Sequence, residues 1–172
     1  TMAKILTVYF SRKGENYWKG AVRDLEKGNT EIAAEFVQKA VGGALFEVQT
    51  AEYYPAEYRA CCAQAARELR EDARPALKAL PAEAKECDVL FLGYPNWCGT
   101  MPMALFTFLE SFDLSGKTIA PFCTNEGSGM GRSEADIAKL CPGARVAKGL
   151  SVRGCEAAQS EARIAEWAKA NI

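Results

Sequence analysis

The chain has 172 residues, 49% of them apolar and 25% charged, which is enough to build one sizeable core and too apolar for a disordered segment. Its 21 basic and 22 acidic residues nearly cancel, so no global field favours a nucleic acid or an anionic membrane surface as partner. Histidine is absent, which removes the Ser-His-Asp triad, the Cys-His pair and the HExxH zinc helix together.

In chain order, Lys4 to Phe10 (KILTVYF) is apolar on both faces and rich in β-branched and aromatic residues, the pattern of a parallel strand buried between helices. Gly14 to Gly28 follows as a loop excursion that fits no period, its apolar content limited to Tyr17, Trp18, Ala21, Val22 and Leu25. Glu31 to Val41 places Ile32, Ala33, Phe36, Val37 and Ala40 on one helical face and stops at Gly42-Gly43. Ala44 to Thr50 reads as a weaker strand and Ala56 to Ala73 as a helix with Cys62, Ala66, Leu69 and Ala73 at helical spacing. Asp88 to Gly93 and Lys117 to Cys123 are further buried strands, separated by a helix over Pro102 to Ser111 with proline in its first turn. A helix at Ser133 to Leu140, a strand at Arg145 to Val152 and a helix at Glu156 to Lys169 complete the pattern. Strand and helix alternate five times, which predicts an α/β fold with an open parallel sheet and helices on both faces, in one domain over 1–172.

The seven cysteines are odd in number and contain no CxxC, so they read as reduced thiols rather than a disulfide framework or a zinc cage. The N-terminal stretch lacks a long apolar core with a small-residue cleavage site, no segment approaches a membrane span, and the expected location is cytoplasmic. Thr1, ahead of Met2, looks like a cloning remnant.

In an open parallel sheet a ligand lies beyond the carboxyl ends of the strands, where strand order reverses. After the first strand come Ser11, Arg12 and Lys13, then the excursion, then Asn29-Thr30 at the start of a helix. Hydroxyls, amides and a helix N-terminus suit an anion such as phosphate, and Asn29 or Thr30 as a plain helix cap accounts for the same residues. After the third strand the chain reads Tyr94-Pro95-Asn96-Trp97-Cys98-Gly99-Thr100, a loop able to hold a flat ring against an indole. After the fourth comes Thr124-Asn125-Glu126-Gly127-Ser128-Gly129-Met130-Gly131, small enough for close backbone approach. Gly116-Lys117-Thr118 resembles a P-loop tail but precedes a strand, and the GxGxG at Gly127, Gly129 and Gly131 follows the wrong strand for a dinucleotide fingerprint.

The succession of SRK after the first strand, NTE opening a helix, YPNWCGTMP and TNEGSGMGRS resembles the flavodoxin family over nearly the whole chain, in particular its short bacterial FMN-binding proteins. That resemblance implies a three-layer sandwich with a five-stranded parallel sheet in the order 2-1-3-4-5 and noncovalently bound FMN. It further implies that Ser11, Arg12, Lys13, Asn29 and Thr30 hold the phosphate. Pro95, Asn96, Trp97, Cys98 and Gly99, with Thr124, Asn125, Glu126 and Gly127, would embrace the isoalloxazine, and backbone near Gly99 and Thr100 would meet flavin N5 with a peptide flip on reduction. The expected function is low-potential electron transfer between redox proteins, with neither nucleic acid nor membrane as partner. An NAD(P)H-dependent quinone or flavin reductase of the same fold is the alternative, and a binding module without cofactor the second. Tyr17-Trp18 is expected to pin the excursion to the body, Trp167 to pack, Cys98 to be inert, and Glu126 to stand either near the ring or at the surface.

Overall fold

The computed structural model describes residues 2–172, so Thr1 lies outside the described residues. The main sheet contains β1 (Ile5–Tyr9), β4 (Ala44–Glu47), β5 (Val89–Pro95), β6 (Thr118–Asn125), β7 (Arg145–Val146) and β8 (Leu150–Arg153), all paired in parallel. β1 lies between β4 and β5, β6 follows β5, and β7 and β8 both pair with β6. With β7 and β8 counted as two pieces of the fifth strand, this is the 2-1-3-4-5 order. The single strand expected over 145–152 is therefore interrupted, and the sheet has six segments. The interruption has a cause: Lys148 O accepts from Trp167 Nε1 (3.1 Å) and Gly149 N donates to Glu134 Oε2 (2.8 Å), so neither group serves the ladder.

Alternation along the buried strands sends side chains into two cores. Leu6, Val8, Leu90, Leu92, Tyr94 and Ile119 pack with α3 (Met103–Glu110) and with Ile137 of α4 (Ser133–Leu140). Val89, Phe91, Ala120, Phe122 and Val152 pack with α1 (Asn29–Val41) and α5 (Glu161–Lys169). Each fully buried large side chain, such as Phe91, contributes about 1.5–3 kcal/mol relative to exposure. Trp167 is in the packing role expected of it, edge-on to Phe91 and Phe122 at 5.6 and 6.0 Å. α2 (Tyr58–Arg70) is capped by its neighbour Glu57, whose carboxylate accepts from Ala60 N at 2.8 Å.

Several helix boundaries differ from expectation; α2 runs over Tyr58–Arg70 rather than Ala56 to Ala73, and three others have a local cause. Pro102 is the N-cap residue of α3, with extended ψ of 142°, rather than part of its first turn. The last helix begins at Glu161, because Gly154–Gln159 winds as a 3-10 segment and Ser160 intervenes. Gly28, not Asn29 or Thr30, is the N-cap of α1; it has no side chain, and Ser11 Oγ at the end of β1 accepts the Glu31 N–H instead (3.1 Å). A Cβ on Gly28 would stand 2.1 Å from that Ser11 oxygen, so this cap requires glycine.

The excursion at 14–28 is not a loop. β2 (Gly14–Trp18) and β3 (Ala21–Leu25) form an antiparallel hairpin whose turn residues Lys19 and Gly20 have φ of 49° and 88°, the left-handed pair a two-residue hairpin requires. Its signal was hidden because the ribbon has no buried face: of its β3 residues only Leu25 is buried.

Candidate functional site

β5 and β6 run two residues further than their apolar cores suggest, pairing Pro95 with Thr124 at their carboxyl ends. There they open into a cavity of about 370 Å³, bounded also by the start of α1, the hairpin and one face of α2. Its lining includes Arg12, Asn29, Thr30, Pro95, Asn96, Trp97, Cys98, Thr124, Asn125 and Glu126, ten residues that the sequence singles out. Ser11, Lys13, Gly99 and Gly127 do not line it. Ser11 is spent on capping α1, and Lys13 is exposed and faces a second cavity, also about 370 Å³, that shares Arg12 and Trp97 with the first.

Thr30 and Thr124 are buried and joined hydroxyl to hydroxyl at 2.7 Å, tying the first turn of α1 to the end of β6. Among the described residues, the Asn29 and Thr30 N–H groups find no acceptor in the chain, so the positive end of α1 faces the cavity with free donors. Arg12 turns away from the role expected of it: Nε donates to Glu15 O (2.9 Å) and Nη2 to Pro55 O and Ala56 O (both 3.0 Å). It joins β1, the hairpin and the approach to α2.

The loop after β5 is a tight turn. Trp97 and Thr100 exchange backbone hydrogen bonds (2.9 and 3.2 Å) around Cys98 and Gly99, with φ of 56° and 85°. For Cys98, a residue with a side chain, the left-handed conformation costs roughly 1–2 kcal/mol, and the surroundings hold it in place. Gly99 N donates to Asn96 Oδ1 (2.9 Å), Asn96 Nδ2 to Gly129 O (2.9 Å), and Thr100 Oγ1 to the Asp136 carboxylate. Gly99 O accepts from Arg132 N at 2.8 Å, with Gly131 packed so closely that a Cβ there would lie 2.1 Å from the same oxygen. A peptide flip at Gly99–Thr100 therefore has to break an existing hydrogen bond. Trp97 is half-buried, edge-on to Phe10 and Tyr54 at 5.1 and 5.0 Å, and lines both cavities.

Glu126 lines the cavity and has a structural role besides. One carboxylate oxygen accepts the Lys19 N–H at the hairpin tip (2.9 Å), the other the Cys155 N–H (3.1 Å), so it clamps the hairpin to the body. The hairpin is also held at its side, where Glu15 Oε1 accepts the Tyr58 N–H (2.9 Å), and at its base, where Asn16 Nδ2 donates to Arg12 O (2.8 Å). The expected aromatic pair divides: Tyr17 lines the cavity and stacks with Tyr58 (6.5 Å, 27°), while Trp18 lies beneath the Arg23 guanidinium at 4.8 Å.

Sequence reasoning missed Asn16, Tyr17, Tyr58, Cys61, Cys62, Ala65, Ser128 and Gly154 as lining residues. Those on the hairpin and α2 come from segments outside the strand-end loops, and no local pattern marks them. Burial pushes the Tyr58 hydroxyl up to about 12, aided by the neighbouring Cys62 and Cys61, and pushes the Cys61 thiol up to about 11 against the pull of Arg12. The Cys98 thiol is also raised, first by burial, then by Cys62, with Arg132 opposing.

The sequence profile described as Flavodoxin matches residues 24–171, and the chain belongs to that family. The match begins within β3, so Ser11 to Lys13 and all of β2 precede it. No curated protein matches significantly. Among solved structures, candidate flavoproteins of Bacteroides eggerthii DSM 20697 and Bacteroides uniformis ATCC 8492 are each similar at 29% identity and a TM-score of 0.78. The first similarity covers 99% of this chain and 98% of that one, the second 98% and 99%. A flavoprotein of Lactobacillus acidophilus NCFM, solved in complex with FMN, shares the fold at 18% identity and a TM-score of 0.67, over 92% of this chain and 98% of its own.

Proposed function

We propose that this protein binds FMN noncovalently in the strand-end cavity and serves as an electron carrier between redox proteins. Family membership supports the cofactor, and so does the fit of the residues present. The cavity, about 370 Å³, has the size of a site for one such ligand, and the free N–H groups of Asn29 and Thr30 offer an anion what a phosphate needs. Asn29 and Thr30 would hold the phosphate, while Pro95 to Cys98 and Thr124 to Glu126 would hold the ring. FMN, when bound, supplies the electron exchange itself. The chain's share is to bind, orient and limit the access of water. Trp97 provides an aromatic wall braced by Phe10 and Tyr54, and the Glu126 clamp keeps Tyr17 at the cavity.

The observation that favours a carrier is that the hairpin and α2 already occupy the flank of a cavity sized for one ligand. Direct reduction by NAD(P)H would require a second molecule to stack against the flavin from outside that cavity. The reductase reading draws on the second cavity, which reaches Trp97 from another side. Anaerobic stopped-flow with NADH and NADPH separates the two. A carrier oxidises both slowly and accepts electrons from dithionite or from a separate reductase protein. Saturable bleaching at about 10 s⁻¹ or faster would establish the reductase instead, and failure of the protein to quench added FMN would overturn the cofactor assignment.

A further inference from the structure

Tyr17 occupies its place without a packing reason. It is 46% exposed, on a ribbon that has no buried face, so its ring gains little from the body of the fold. It is nevertheless held in position. Lys19 N at the hairpin tip donates to Glu126 (2.9 Å), Tyr58 N donates to Glu15 (2.9 Å) and Asn16 Nδ2 donates to Arg12 O (2.8 Å), so hydrogen bonds on both sides of Tyr17 fix the strand that carries it. Its ring is stacked on Tyr58, with centroids 6.5 Å apart and 27° between the planes, and both residues line the strand-end cavity that Trp97 reaches from the loop after β5. The flavodoxin profile begins at residue 24, so family membership assigns Tyr17 no role.

On the reading of the cavity as an FMN site, we propose that Tyr17 is a cofactor-contacting residue: backed by Tyr58, its ring packs against the isoalloxazine, and the hairpin that carries it retains the bound molecule. An aromatic face suits a flat ring, whereas its negative quadrupole disfavours a phosphate dianion. Two residues along the strand, Lys19 is bonded to Glu126, whose carboxylate would repel a phosphate brought to this end of the cavity. The other walls are firmer. α1, β5 and β6 are built into the two cores, while the outer part of the hairpin is joined to the body by hydrogen bonds, so swinging it aside is the least costly way to open the cavity. The rate of cofactor release is therefore set by the contact that Tyr17 makes and by the bonds that hold the hairpin down. Glu15 does not line the cavity and acts as a positioning residue through the Tyr58 N–H.

The test is the release rate of FMN and of riboflavin from the full chain, followed as the rise of flavin fluorescence after rapid dilution of the loaded protein. Tyr17→Ala should release both ligands about tenfold faster, because a stacked ring is lost and riboflavin has the same ring, while Tyr17→Phe should stay within about twofold of wild type. Glu15→Ala should release both several-fold faster, and Glu15→Gln, which keeps an acceptor oxygen for the Tyr58 N–H, should restore the wild-type rate. Saturating FMN should also slow tryptic cleavage after Lys19 in wild type and protect Tyr17→Ala less. Unchanged release from Tyr17→Ala, a loss confined to FMN, or a loss from Tyr17→Phe as large as from Tyr17→Ala would each overturn the contact with the ring, and unchanged release from Glu15→Ala would overturn retention by the hairpin. Wild type that does not quench added FMN would refute the cofactor reading itself, whereas wild type that binds FMN beside a Tyr17→Ala variant of equal release rate would refute only the role of Tyr17.

Discussion

The Thr30–Thr124 contact offers a sharp quantitative test of how the site is built. The two hydroxyls meet at 2.7 Å, and the residues are only 2% and 4% exposed, so neither has water as a substitute partner. Valine preserves the shape of threonine and removes the hydroxyl. Thr30→Val or Thr124→Val alone leaves the other hydroxyl buried and unpaired, at a cost of about 1–3 kcal/mol. For a chain of this length each kcal/mol lowers Tm by roughly 2–4 °C. The double substitution removes both polar groups, and the pair of apolar side chains should recover most of the loss. The coupling energy is then comparable to a single penalty. Urea unfolding of the four FMN-free proteins measures it. Losses that add within about 0.3–0.5 kcal/mol would show that the two hydroxyls do not pair, and the join between α1 and β6 would need another explanation.

Asn29→Pro deletes the free N–H at the first helical position, where proline is tolerated, and should weaken FMN about ten- to a hundredfold, the worth of a hydrogen bond to a charged group, while leaving riboflavin nearly unaffected; equal losses for both would move the phosphate elsewhere. Trp97→Ala should loosen FMN and also destabilise the FMN-free protein, because its edge contacts with Phe10 and Tyr54 are worth about 0.5–1.5 kcal/mol each; flavin fluorescence titration and urea unfolding report the two effects separately. Stability should decline on the alkaline side: burial raises the Cys61 and Cys141 thiols from 9.0 to about 11 and Cys123 to about 12. The native state thus holds these protons more tightly than the unfolded chain, so the contribution is complete below pH 9.0 and lost as pH rises toward 11–12. Urea midpoints across that range would check it, and a flat profile would contradict the burial.

Short apolar runs rich in β-branched and aromatic residues located the strands β1, β5 and β6, because a strand covered on both faces must be apolar throughout. Helical period located the five helices to within a few residues, and the polar, glycine-rich stretches after those strands marked where a ligand would meet the sheet. Ten lining residues of the cavity were legible in that way, since a parallel sheet brings its strand-end loops together whatever the details of packing. The remainder depended on contacts between residues distant in sequence. Ser11 reads as a phosphate ligand until the fold brings the Glu31 N–H to it, and Arg12 as a counter-charge until the carbonyls of Pro55 and Ala56 arrive. Glu126 becomes a clamp only because Lys19 and Cys155 converge on it. The hairpin leaves little periodic trace, since a ribbon exposed on both faces has no reason to alternate, and its place beside the cavity is set by those long-range bonds. Composition and period record which surfaces must be buried, whereas a polar side chain has many possible partners, and only the tertiary structure selects among them.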